Sequence, residues 1–186
     1  MRGLYNINAV TININAVTIV FGTWNDMTLK PFKKWKNSNG IWFFGRAGAG
    51  KTFASQACIQ LIDSAFIIDG DDVRKLISFD LGFSKSDREI QIKRVLGLAE
   101  IAIKNDQVPI VSTVTMSEEI HKRCNQLGIS VVNIVRPLDQ LTKVREIYAT
   151  ELDVVGKDIK EYASDTTKLY NNGTAEFEDG IRAFVK

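Results

Sequence analysis

Ile41-Trp42-Phe43-Phe44-Gly45-Arg46-Ala47-Gly48-Ala49-Gly50-Lys51-Thr52 is the stretch from which the rest of the chain can be read. Its four leading apolar residues suit a buried strand, and the eight that follow fit the spacing G-x-x-x-x-G-K-[ST]. Next, Phe53-Ala54-Ser55-Gln56-Ala57-Cys58-Ile59-Gln60-Leu61-Ile62 reads as a helix. Gly45, Gly48 and Gly50 allow backbone conformations closed to residues with a Cβ, so successive N–H groups can turn inward as an anion-binding nest. Ala47 and Ala49 are small enough not to crowd it. Lys51 offers an ammonium to β- and γ-phosphate oxygens, Thr52 a hydroxyl to Mg²⁺, and the helix its positive end. The stretch predicts a phosphate-binding loop for ATP with Mg²⁺.

Downstream, short β-branched runs alternate with longer helical patterns. Strands are expected at 65–68, 108–112 and 130–135, and helices at 86–105 and 117–127. Strands of this kind suit a buried parallel sheet, so the expected fold is a three-layer α/β/α P-loop kinase domain with a mainly parallel sheet and ligands at the carboxyl ends of its strands. Beyond Pro137, 138–152 reads as a helix and 174–185 as a closing helix. The polar, irregular stretch between them suits a lid at about 148–167.

Upstream, Asn6-Ile7-Asn8-Ala9-Val10-Thr11-Ile12 recurs unchanged as Asn13-Ile14-Asn15-Ala16-Val17-Thr18-Ile19. Its alternation and β-branched content favour extended structure over helix. Because seven is odd, a continuous strand would send the second copy's side chains to the opposite face, so one clean apolar face needs a turn or bulge. Residues 1–26 are therefore read as an accessory β-arm or loose extension, and 27–186 as the catalytic domain, with Met27 as an alternative start. The basic and aromatic stretch 29–40 reads as a surface segment whose Phe32 and Trp35 dock on the domain edge; contact with nucleic acid is the alternative.

Composition narrows the partners. Among 186 residues, 24 basic and 22 acidic side chains leave a net charge of +2, too balanced for a nucleic-acid coat or a membrane-surface patch. No apolar run reaches the roughly 18 residues of a membrane span. Cys58 and Cys124 read as reduced core thiols, which points to the cytoplasm. His121 lies among charged residues on an expected solvated helix and receives no catalytic role. A homodimer is left open.

The strand at 65–68 delivers Asp69-Gly70-Asp71-Asp72-Val73-Arg74 to the edge where the phosphate loop lies. Carboxylates there hold Mg²⁺ or accept a proton from an attacking hydroxyl, and an arginine fork pairs with phosphate-like oxygens. The alternative is that Asp71 or Asp72 merely caps the next helix. With Phe79-Asp80-Leu81-Gly82-Phe83-Ser84, Asp87-Arg88 and Arg94 following, the chain resembles the adenylylsulfate kinases, whose phosphate loop is followed by D-G-D-N-x-R and D-L-G-F-S-x-x-D-R. The resemblance covers about residues 41–135. It implies Asp71 as base and Asp69 near the metal, for attack of a ribose 3′-hydroxyl on the γ-phosphate of ATP. It further implies Arg74 and Arg88 on the phosphosulfate and Phe83 stacked on the adenine. Gln91 stands at a family Asn, Ser112 and Thr115 at the serines of V-S-F-I-S-P, and Tyr162 near I-K-x-F-T-G as a second aromatic for the base.

Asp72 replaces the family's Asn, Met116 its Pro, and the D-P-K-G-L-Y and F-T-G signatures are missing. These departures keep another nucleotide anhydride open as acceptor, as in the similar cytidine diphosphoramidate kinases. A polynucleotide 5′-hydroxyl kinase also pairs a phosphate loop with D-D-x-R, against which stand the near-neutral charge and the D-L-G-F-S block. Intact Lys51, Thr52, Asp69 and Asp71 argue against a silent nucleotide-binding module. The expectation is a kinase acting on a small-molecule nucleotide.

Overall fold

A computed structural model of the chain describes residues 10–14, 17–21, 38–144, 154–155, 162 and 166–185. Two compact units separate between Lys33 and Lys34. The expected boundary at 26/27, the docking of Phe32 and Trp35, and most of the expected lid lie outside the described residues.

In the first unit β1 (Val10–Ile14) pairs antiparallel with β2 (Val17–Phe21). Reversal of the chain resolves the parity conflict of the repeat. Ile12 pairs with Ile19, its equivalent in the second copy, and Val10 with Phe21.

The second unit runs β3 (Gly40–Phe44), α1 (Lys51–Ile59), β4 (Ala65–Asp69), α2 (Gly70–Leu76), α3 (Lys85–Lys104), β5 (Val108–Thr113), α4 (Glu118–Leu127), β6 (Ile129–Val135), α5 (Leu138–Val144), β7 (Thr167–Tyr170) and α6 (Ala175–Val185). Its five strands are all parallel in the order β4-β5-β3-β6-β7, so every carboxyl end falls on one edge. From β3 the chain crosses past β5 to β4, and from β5 it crosses back past β3 to β6. One crossover thus leaves β3 toward β4 and a later one passes β3 toward β6, so the chain turns to opposite sides of β3 and a crevice opens at its carboxyl end.

Pleating divides β3 between two cores. Ile41 and Phe43 pack with Ala54 and Cys58 of α1 and Phe177 and Ile181 of α6. Trp42 and Phe44 pack with Val95 and Ala99 of α3 and Ile120 and Cys124 of α4. Ile41, Trp42 and Phe43 are fully buried, each stabilising the fold by roughly 1.5–3 kcal/mol, so the strand that launches the phosphate loop is firmly anchored. Cys58 and Cys124 are free and lie in the two different clusters, one on each side of the sheet. Burial pushes both thiols up to about 12.

Three readings need amendment. β7 falls across the end of the expected lid, because only Leu169 of Thr167-Lys168-Leu169-Tyr170 joins the core and no apolar run marks the strand. The first expected helix, which starts at Lys51 just after Gly50, ends at Ile59 rather than at Ile62. His121 is half-buried, not solvated: its Nδ1 lies 3.0 Å from Tyr162 Oη.

Candidate active site

The phosphate loop joins β3 to α1. Gly45, Gly48 and Gly50 have φ of 143°, 79° and 108°. A Cβ on Gly45 would lie 2.3 Å from the Ile134 carbonyl oxygen, and one on Gly50 2.5 Å from Asn171 Nδ2. Conformation and space therefore both demand glycine there. Gly50 stands at the N-cap of α1 and no side chain caps that helix, so its first N–H groups face the position an anion would take.

Three carbonyls of the loop are held by side-chain donors. Lys51 Nζ donates to the Arg46 oxygen at 2.8 Å, Arg136 Nη1 to the Gly48 oxygen at 3.3 Å, and Asn171 Nδ2 to the Ala49 oxygen at 2.7 Å. Asn171 is buried at the carboxyl end of β7, and its Oδ1 accepts the Gly173 N–H. Arg136 follows β6. Neither residue belongs to a motif that the sequence shows.

On the other side of β3, Asp69 ends β4. Its Oδ2 accepts from Thr52 Oγ1 and from Ser112 Oγ, each at 3.1 Å, while Oδ1 accepts the Asp71 N–H at 2.9 Å. Asp69 is thus the cap of α2. The capping role weighed for Asp71 or Asp72 belongs to neither, because the helix begins at Gly70, and both carboxylates are exposed in its first turn. Thr52 and Asp69 present hard oxygen donors side by side. Among the described residues no group of three or more His, Cys, Asp or Glu could hold a metal. One carboxylate and one hydroxyl suit Mg²⁺, which takes its other ligands from phosphates and water.

One turn along α2, Arg74 shares a face with Asp71. Arg74 donates Nη1 to the Gly82 carbonyl and Arg88 donates Nε to the Phe83 carbonyl at 2.9 Å. Both guanidinium groups lie over the exposed Phe83 ring, with Cζ 4.8 Å and 5.7 Å from its centroid. Gln91 of α3 is buried. Its Nε2 donates to the Gly70 carbonyl at 3.0 Å, while Oε1 meets no hydrogen-bond partner among the described residues. At the end of β5, Trp42 Nε1 donates to Thr113 Oγ1, which donates to the Thr115 carbonyl, both at 2.8 Å. This fixes the backbone at the half-buried Thr115. The Tyr162 ring packs at 6.0 Å from Phe44, the last residue of β3, and meets His121 edge-on. Burial, with Glu118 nearby, raises its hydroxyl pKa.

The arrangement thus brings Lys51, Thr52, Asp69 and Ser112 into one hydrogen-bonded edge and Arg74, Phe83 and Arg88 into a second group. α2 and Gln91 join the two. The first group offers donors to phosphate and oxygens to a cation, and the second offers guanidinium donors to an anion.

Comparison with known proteins agrees with this geometry. The family model described as adenylylsulphate kinase matches residues 37–155. Adenylyl-sulfate kinase of Deinococcus deserti is 30% identical over 129 residues, covering 67% of this chain and 68% of the relative. That of Chloroflexus aurantiacus is 34% identical over 122 residues, covering 60% and 64%. That of a Picosynechococcus species is 36% identical over 90 residues, covering 46% of this chain and about half, 51%, of the relative. Among solved structures, the Mycobacterium tuberculosis APS kinase in complex with AMPPNP and APS superposes with a TM-score of 0.70 at 19% identity, covering 80% of this chain and 96% of that one. The phosphate loop, four of the five parallel strands and the second acidic motif lie inside the matched residues, and the chain belongs to the adenylylsulphate kinase family.

Proposed function

We propose that the chain transfers the γ-phosphoryl group of ATP to the ribose 3′-hydroxyl of adenylylsulfate, giving 3′-phosphoadenylylsulfate. The observation that carries this reading is the junction made by α2: Asp69 at its cap bonds Thr52 of the phosphate loop, and Arg74, in its last turn, joins Phe83 and Arg88. Backbone N–H groups of the phosphate loop, other than that of Ala49, which bonds the Arg46 carbonyl, hold the β- and γ-phosphates together with Lys51. Thr52 and Asp69 would hold Mg²⁺, which would supply positive charge to offset the charge of the phosphates. Asp71 accepts the proton of the 3′-hydroxyl as its oxygen bonds to the γ-phosphorus. The bond from that phosphorus to the β,γ-bridging oxygen breaks, and ADP leaves. Arg74 and Arg88 grip the phosphosulfate, and Gln91, Ser112 and Thr115 border the acceptor. Tyr162 serves packing in this reading, since Phe44 and His121 engage it. Residues 27–186 form the kinase domain, with a lid near 148–167 and residues 1–26 as an accessory arm.

A second reading, the same transfer to another nucleotide anhydride such as cytidine diphosphoramidate, rests on the departures from the family pattern at Gln91, at Met116 and in the lid. A coupled assay of ATP consumption with adenylylsulfate, cytidine diphosphate derivatives and 5′-hydroxyl oligonucleotides separates them. Turnover is expected with adenylylsulfate and a 3′-phosphorylated product; turnover with a cytidine derivative alone moves the assignment to the second reading.

A further inference from the structure

We infer that Ser55 is a positioning residue: through Ser112 it holds the Asp69 carboxylate in the orientation that a cation beside Thr52 requires. This rests on the Mg²⁺ site proposed above and extends it to a buried hydroxyl that belongs to no motif.

Ser55 lies in α1 one turn after Thr52 and is fully buried, as Ser112 of β5 nearly is at 2% exposure. The layer between α1 and the sheet contains Phe43, Ala54, Cys58 and Ile110, whose side chains offer a hydroxyl no strong partner. The partner is Ser112: Ser55 Oγ donates to Ser112 Oγ over a long 3.4 Å, and Ser112 Oγ donates to Asp69 Oδ2 at 3.1 Å. Asp69 and Ser112 are register partners of the parallel pair β4–β5, so the second step is set by the sheet itself. Each hydroxyl carries a single hydrogen. While its oxygen accepts from Ser55, Ser112 keeps its own hydrogen for Asp69. The carboxylate then meets donors from three elements, Thr52 of α1 and Ser112 of β5 at Oδ2 and the Asp71 N–H of α2 at Oδ1, which leaves it little freedom to turn away from Thr52. Thr52, by giving its hydrogen to Asp69, keeps its oxygen lone pairs for a cation. Without the Ser55 hydroxyl, Ser112 is free to rotate its hydrogen elsewhere, and outer partners of this kind govern how well a carboxylate holds a metal.

The test is the affinity for the ATP analogue AMPPNP, measured by calorimetry in Mg²⁺ and again in EDTA, for wild type, Ser55→Ala, Ser112→Ala and the double variant. The ratio of the two dissociation constants isolates what the cation contributes, and a residue that serves packing alone leaves that ratio unchanged. Mg²⁺ is expected to tighten binding to wild type. Ser112→Ala should shrink this gain by about tenfold, and Ser55→Ala, one hydrogen bond further out, by about threefold. The double variant should match Ser112→Ala, because Ser55 has no route to Asp69 without Ser112. Affinity in EDTA should be the same throughout, and alanine, the strongest helix former, keeps α1 intact at position 55. An unchanged ratio in Ser55→Ala overturns the inference, and so does a double variant that shows the product of the two single effects. If wild type binds the analogue equally well with and without Mg²⁺, the proposed cation site is what fails, and the role of Ser55 falls with it.

Discussion

Thr52 Oγ1 lies 3.1 Å from Asp69 Oδ2, joining the first turn of α1 to the end of β4. The same carboxylate caps α2 through its other oxygen and accepts from Ser112. One side chain therefore ties the phosphate loop to the helix that carries Asp71 and Arg74. Asp69→Asn keeps an acceptor for the cap but removes the charge a cation requires. Turnover with Mg-ATP is expected to fall by a factor on the order of 100 or more, about 3 kcal/mol in the transition state, while the melting temperature moves little. Steady-state kinetics with thermal melts checks it; near-normal turnover would remove Asp69 from the metal site.

Asp71 poses a sharper question, because its backbone N–H is used by the cap and its carboxylate is exposed. With Asp69 as the cap, a purely structural role for the Asp71 carboxylate has lost its main support. Asp71→Asn should lower kcat by a factor on the order of 100 or more, within the usual range for a general base, and leave ATP affinity and the melting temperature nearly unchanged. An Asn variant with normal kcat refutes the proton-accepting role.

The residues that were legible in the sequence are those whose chemistry is contiguous. Gly45 to Thr52 build their nest from neighbouring backbone groups, and Asp69 to Arg74 lie on a strand end and the helix turns after it, so spacing alone suffices. Asn171 and Arg136 reach the same loop from 122 and 88 residues away, and nothing local in either segment signals it. β7 escaped because an edge strand with a single core-facing residue has no apolar period to read. The resemblance of 157–162 to a family stretch suggested Tyr162 for the base, but a side chain's neighbours depend on packing, and Phe44 and His121 are those neighbours.

Arg94 pairs with Asp80 through two bonds, Nη1–Oδ1 at 2.5 Å and Nη2–Oδ2 at 2.8 Å, and its hydrogen bond holds the Asp80 carboxyl below the usual carboxylate range. Asp80 begins the turn that carries Gly82 and Phe83. A carboxylate with a lowered folded pKa adds stability above its unfolded value, about 4, and that contribution disappears as pH falls through the lower folded value. Wild type should therefore melt slightly above Asp80→Asn at pH 7, with the gap closing as the pH is taken below about 4. Because the pair is exposed, the gap is small. Melts across pH check it, and a gap that persists unchanged in acid would assign the effect to something other than the ion pair.

Asn171 offers the last test, of how the phosphate loop keeps its N–H groups turned inward. A peptide unit that directs its carbonyl outward directs its N–H the other way, so a donor that fixes the Ala49 oxygen also helps orient the nest. Asn171 supplies that donor from a buried position and grips the Gly173 N–H with its other end. Asn171→Ala deletes both bonds, leaves the Ala49 carbonyl without this partner, and opens space beside Gly50. A stability loss on the order of 1–3 kcal/mol follows from the buried hydrogen bonds alone. If the residue also orients the loop, ATP affinity measured by titration at a temperature where the variant is fully folded should fall about tenfold or more, with the KM for the acceptor nearly unchanged. A variant that is destabilised yet binds ATP normally would limit Asn171 to packing and leave orientation of the loop to Lys51 and Arg136.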